Sequence, residues 1–156
     1  MKKIIYFFIL SFFFSTISFA DEKNIQVIDG DTIHIGKNKY RLFGIDAPET
    51  KQICEKDNIK IQCGVIAKNV LKNKIADKIP ECVIKEKDHY QRLVAECFIG
   101  KESLSRFMVR EGYAVAYTQY SKDFIEDEKY AKENKLGIWA MTFQIPSEYR
   151  KSLRNK

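Results

Sequence analysis

Residues 24–46, NIQVIDGDTIHIGKNKYRLFGID, decide the fold of this chain. Ile25 and Val27, then Ile33 and Ile35, then Leu42 and Ile45 recur among β-branched and aromatic neighbours, interrupted by Asp29-Gly30 and Gly36-Lys37-Asn38. Those interruptions are turn chemistry, so the stretch reads as a meander of three antiparallel strands. Asp46-Ala47-Pro48 ends the third strand, because Pro48 cannot donate to a ladder.

Downstream, residues 63–79 place Ile66, Val70, Leu71, Ile75 and Ile79 on one helical face. Lys72, Lys74 and Lys78 make a solvated opposite face, and Pro80 is expected to stop the helix. Glu81–Lys87 and Gln91–Ile99 read as two strands around the polar turn Asp88-His89-Tyr90. A hairpin centred between residues 89 and 90 sets Cys82 opposite Cys97, near the ~5.5 Å Cα spacing a disulfide needs. Elimination then pairs Cys54 with Cys63. No C-x-x-C pair is present, which argues against zinc. Ser103 can cap a helix through Arg110, with Gly112 at its end. Tyr113–Tyr117 reads as short and extended. A third helix should run from Asp123 to Lys135, and the basic tail after Trp139 is expected to be loose. Trp139 is read as a packing anchor and His34 as a rim residue. The expected class is α+β, mainly β: an OB-fold five-stranded β-barrel with about three helices.

Upstream, residues 1–20 read MKKIIYFFILSFFFSTISFA, a secretory signal peptide by shape: two lysines, an apolar run, and a small-x-small cleavage site at Ser18-Phe19-Ala20. The expected division is a signal peptide at 1–20 and one domain at 21–156. No later segment is apolar enough to span a bilayer. With 156 residues and 45% hydrophobic content, the chain can bury a core, and disorder is excluded. Without Lys2 and Lys3, 25 basic residues face 21 acidic ones, a net +4 and a mild bias towards polyanions. Four cysteines in an exported chain suggest two disulfides.

Two carboxylates bracket the meander: Asp31 opens the second strand and Asp46 ends the third. With a backbone carbonyl and water they could hold a hard cation, although Asp-Gly-Asp spacing alone is equally ordinary turn chemistry. Arg41 lies on the same third strand, Glu49 follows its end, and Arg92 follows the hairpin turn. Arginine forks suit phosphate, and a carboxylate can activate water. Positions 41 and 46 differ by an odd number, so a regular strand would point them to opposite faces. A bulge or an early strand end must re-aim one of them.

Asp29-Gly30-Asp31-Thr32, Arg41-Leu42-Phe43-Gly44-Ile45-Asp46-Ala47-Pro48-Glu49-Thr50, Asp88-His89-Tyr90-Gln91-Arg92-Leu93-Val94-Ala95, Glu111-Gly112-Tyr113-Ala114 and Lys135-Leu136-Gly137-Ile138-Trp139 together resemble the staphylococcal-nuclease-like, or thermonuclease, family. The resemblance implies calcium-dependent cleavage of DNA and RNA by in-line attack of water, leaving 3′-phosphates. It implies Asp31, Asp46 and the Ala47 carbonyl as calcium ligands, Arg41 and Arg92 on the scissile phosphate, and Glu49 as candidate general base. Tyr90 and Tyr117 match tyrosines that contact the nucleotide. The chain departs from the family pattern at Ala47 (commonly Thr), at Gln91 (usually Gly), at His89 (usually Lys), and across the loop from Lys51 to Gln62. The expected product is an exported monomer, periplasmic or secreted, with nucleic acid as substrate and no stable protein partner. The alternatives are a non-catalytic OB module that only binds nucleic acid, and a disulfide-stapled interaction domain. A pure binder has no need of Asp31, Asp46, Glu49 and both arginines together.

Overall fold

The computed structural model describes residues 24–155; the expected leader and the expected domain start at residue 21 lie outside them. The meander forms as β1 (Ile25–Val27), β2 (Thr32–Ile35) and β3 (Asn38–Leu42), all antiparallel. Ile35 pairs with Asn38, so only Gly36 and Lys37 make the turn, and Gly36 takes φ +57°. Glycine accepts that left-handed geometry without cost to a side chain.

After β3 the chain crosses through a two-residue strand β4 (Ile45–Asp46), a small hairpin of β5 (Cys54–Lys56) and β6 (Ile59–Ile61), and helix α1 (Cys63–Ile75). The hairpin turn is Asp57-Asn58, both at positive φ, the pattern of a tight type I′ connection. Ala67, Leu71 and Ile75 form the fully buried stripe of α1. The helix ends at Ile75 instead of continuing to Ile79. Ala76 turns into positive φ with its N–H on the Lys72 carbonyl, and Ile79 is exposed. The stripe is complete one turn earlier than the periodicity suggests, and little further apolar burial would hold another turn.

β7 (Glu81–Lys87) and β8 (Leu93–Ile99) form the expected hairpin, with β8 starting two residues later than the sequence suggests. Cys82 lies opposite Cys97 and the two are bonded; Cys54 is bonded to Cys63. The register shifts between Ile84 and Glu86, a bulge that twists the ribbon. β8 then runs parallel to β3, pairing Arg41 with Val94, which gives the order β1-β2-β3-β8-β7. This is the OB-type succession. The ladder does not close, however: among the described residues β7 pairs only with β8 and β1 only with β2.

A short β9 (Glu102–Ser103) leads into α2 (Leu104–Arg110), where the Ser103 hydroxyl accepts the Arg106 N–H as expected of a cap. β10 (Val115–Ala116) pairs with β4, and α3 covers Ile125–Glu133. The core joins Ile33, Leu42 and Ala95 of the sheet to Leu71 of α1, Met108 of α2 and Phe124 before α3. Burying each large apolar side chain contributes about 1.5–3 kcal/mol. Trp139 packs edge-to-face on Phe143, beside a second apolar cluster containing Cys54, Cys63 and Ile138.

The tail is not loose. A fourth helix, α4 (Pro146–Arg154), follows Trp139. Pro146 occupies its first turn with Glu148, and Lys151 and Arg154 its last, matching each end of the helix dipole.

Candidate active site

Everything at the site depends on the turn out of β3. The strand ends at Leu42, and Phe43 donates to the Ala95 carbonyl. Gly44 then takes φ +72°, where a Cβ would stand 2.7 Å from the Phe124 ring. This reversal solves the parity problem. Asp46 belongs to β4, in a different ladder from Arg41, so the two side chains need not diverge. Arg41 reaches back to the Ile45 carbonyl at 3.1 Å and to Asp46 Oδ1 at 3.2 Å. Its other nitrogen, Nη1, is paired with Asp31. One guanidinium therefore bridges the two acids named from the sequence.

Asp31 is held from several sides. Its Oδ2 accepts the Ala47 N–H at 3.1 Å, and its Oδ1 accepts the Thr32 hydroxyl at 3.0 Å. Burial would push its carboxyl up, but the Arg41 charge, the Ala47 N–H and the Thr32 hydroxyl together hold it below its ordinary value. Asp29 shows the opposite balance. Burial and the Asp31 charge push its carboxyl up to about 7. Burial also raises Asp46 despite its arginine partners. The Asp29–Asp31 loop lies tight on its neighbours, since a Cβ at Gly30 would come within 2.7 Å of Ala47 and 2.9 Å of Ala67.

Glu49 is placed by contacts that the sequence does not advertise. Gln52 is completely buried. Its Oε1 accepts the Glu49 N–H at 3.2 Å, and its Nε2 donates to the Gln144 carbonyl at 2.6 Å. The Glu49 carbonyl also lies directly against Gly64 at the start of α1, where any Cβ would collide with it.

Arg92 is aimed by Asp88. Asp88 Oδ1 accepts the backbone N–H groups of Tyr90 and Arg92 at 2.9 Å, and Oδ2 accepts Arg92 Nε at 2.8 Å. Those bonds lower the Asp88 pKa despite some desolvation. Arg92 Nη1 donates to the Thr32 hydroxyl oxygen at 3.5 Å. Gln91 sits in this turn at φ +66°, a conformation that glycine takes more readily.

Asp31, Arg41, Glu49, Arg92, Tyr90 and Tyr117 all line one cleft of about 1200 Å³. Asp46 lies beneath it and is 1% exposed; Ala47 is buried behind Asp31. Tyr90 stands 67% exposed at the rim beside Arg92, and Tyr117 meets Tyr120 edge-to-face at 4.8 Å. Among the cleft residues not singled out from sequence are Tyr120 and Arg150 of α4. Arg150 Nη1 and Nη2 lie 2.8 and 3.0 Å from the two oxygens of Asp46, and Nη1 lies 2.9 Å from Glu49 Oε1. The local signal that could have shown an ordered element there is the helix-start pattern of Pro146 and Glu148.

Among the described residues, no three acidic, imidazole or thiolate side chains form a cage by themselves. The donors that do converge, Asp31 and Asp46, are oxygens only. That chemistry fits a hard cation whose remaining ligands come from main chain and water. Chemically, the cleft combines buried acids, the oriented guanidiniums of Arg41, Arg92 and Arg150, and an exposed aromatic rim. No helix of the described residues is long and apolar enough to cross a membrane.

Comparison with known proteins agrees with this geometry. Residues 39–141 match the family described as Staphylococcal nuclease homologue. The chain is 32% identical to an uncharacterized endonuclease of Haemophilus influenzae, over 96% of this chain and 86% of that protein. It is 32% identical to the thermonuclease of Staphylococcus hyicus, over 76% of this chain and 75% of that one. It is 29% identical to an uncharacterized endonuclease of Escherichia coli O157:H7, over 78% of each. The chain belongs to the staphylococcal nuclease homologue family and is a phosphodiester hydrolase of the nuclease class.

Proposed function

We propose that this nuclease is exported and hydrolyses DNA and RNA with calcium, by in-line attack of water on phosphorus, leaving 3′-phosphates. The observation that carries the reading is Arg41 bridging Asp31 and Asp46 in the cleft that also holds Glu49 and Arg92. A calcium ion bound by Asp31, Asp46 and the Ala47 carbonyl would supply positive charge beside the phosphate. Arg41 and Arg92 bind the non-bridging oxygens as forks and gain strength as charge builds in the transition state. Glu49 accepts a proton from the attacking water, a role for which Gln52 and Gly64 fix its backbone. Tyr90 and Tyr117 offer ring faces and hydroxyls to the nucleotide at either side.

Export is supported by the two disulfides, which persist in oxidising compartments. A binding module without catalysis fits less well, because buried acids at the centre of a polyanion site repel the ligand unless a cation is there. The test is turnover of a DNA oligonucleotide by wild type, Glu49→Gln and Arg92→Ala. Each variant should lose on the order of 10²–10⁴ in kcat with an unchanged unfolding midpoint. Equal turnover in all three chains would remove the mechanism.

A further inference from the structure

We propose that Arg150 of α4 is a third phosphate-binding arginine of this site, released from Asp46 and from its neighbour Glu49 when a cation takes the Asp46 carboxylate. The proposal rests on the calcium reading above and adds a residue and a step to it.

The lone-pair count gives the exchange. A carboxylate has about four acceptor positions. On Asp46, Oδ1 accepts from Arg150 Nη1 at 2.8 Å and from Arg41 Nη2 at 3.2 Å, while Oδ2 accepts from Arg150 Nη2 at 3.0 Å. Arginines thus hold three of those positions, two of them through Arg150. A calcium ion needs the same oxygens at ~2.3–2.6 Å, and it would stand against a guanidinium of like charge. Cation and Arg150 cannot both hold Asp46 in this way. The Arg41 side chain is 15% exposed and is also anchored on the Ile45 carbonyl and on Asp31, whereas the Arg150 side chain is 34% exposed, so Arg150 is the partner free to leave.

Its destination follows from the helix. Ser147, Arg150, Lys151 and Arg154 are spaced i, i+3, i+4, i+7, which sets them on one face, and all four line the cleft. A guanidinium released from Asp46 stays inside a basic wall. The anion arriving next is the substrate phosphate, and arginine binds it through the same two-nitrogen fork that held Asp46.

The test compares wild type with Arg150→Met and Arg150→Lys, after thermal unfolding shows that all three fold. Calcium is titrated without nucleic acid and followed by backbone amide NMR shifts. Turnover of a single-stranded oligonucleotide is then measured in saturating calcium. For Arg150→Met, calcium should bind about tenfold tighter, as expected when a competing buried charge pair is removed. KM should rise about tenfold with kcat within a factor of three, and the slope of log KM against log salt should fall by about 0.7, one phosphate contact on a single strand. Arg150→Lys should recover part of the KM. Calcium binding that is unchanged or weaker in Arg150→Met overturns the exchange. Tighter calcium with unchanged KM overturns the phosphate role. If wild type binds no calcium at all, the calcium reading itself fails and takes the proposal with it.

Discussion

Asp88 carries a consequence out of proportion to its size. It lines the same cleft as the acids, and three of its hydrogen bonds fix the turn and the guanidinium of Arg92. Asp88→Asn should lower kcat about 10–100-fold with a smaller change in KM, since the arginine stays present but loses its aim. The same contact has a pH signature. The folded-state pKa of Asp88 lies below its ordinary 3.8, so its stabilisation is present above pH 3.8 and is lost as pH falls through the lower folded value. The stability gap between wild type and Asp88→Asn should therefore be full at pH 5 and close towards pH 2, measured by urea unfolding. Next to it, Gln91 at φ +66° carries backbone strain. Gln91→Gly should stabilise the protein by about 1 kcal/mol, read from the urea midpoint. At this scale the placement of Asp31, Arg41, Asp46, Glu49 and Arg92 at or near strand ends and turns was legible in the local sequence, while their roles are those proposed above. The placement of Gln52 and Arg150 was not. Arg150 meets Asp46 from 104 residues away, and Gln52, although it bonds the nearby Glu49 N–H, is fixed by the Gln144 carbonyl 92 residues away.

At the scale of elements, positions of close backbone approach decide where the acids go. Gly64 lies at the start of α1 directly against the Glu49 carbonyl, so the Glu49 loop rests on the helix with no side chain between them. Gly64→Ala must move one against the other. It should lower kcat by about tenfold or more while costing about 1–3 kcal/mol in stability, as overpacking does. An unchanged kcat in a folded Gly64→Ala protein would show that Glu49 does not need this support. The elements themselves were unequally readable. The meander and the β7–β8 hairpin follow from alternation and turn residues, and the register that joins Cys82 to Cys97 follows from the turn position. The β5–β6 hairpin passed as a loop because its strands have three residues each and are mostly exposed, leaving no alternation to see. The end of α1 was placed too late because Ile79 continues the helical spacing without being buried. α4 passed as a tail because the reading rested on its basic residues Arg150, Lys151 and Arg154; its proline and acidic start are the better guide.

For the whole molecule, the parallel pairing of β3 with β8 is the connection that matters most. It brings the second half of the chain beside the first, with Arg41 opposite Val94 and Arg92 just upstream on the same side as the cleft. Strand order was legible from five strand signals with a helix between the third and fourth. The open ladder between β1 and β7 was not, since closure depends on strand length and twist that no local pattern records. Two disulfides add local ties, Cys54–Cys63 joining β5 to the start of α1 and Cys82–Cys97 joining β7 to β8. The central claim is that Asp31 and Asp46 make this architecture a calcium-dependent nuclease. The direct test is the cleavage rate of a fluorophore-quencher DNA oligonucleotide, measured for wild type and Asp31→Asn as calcium is added and then chelated. Wild-type cleavage is expected to rise to saturation with calcium and stop with chelator, and Asp31→Asn to stay at least about 10²-fold slower throughout. Cleavage that continues in chelator, or that survives Asp31→Asn at the wild-type rate, would contradict it.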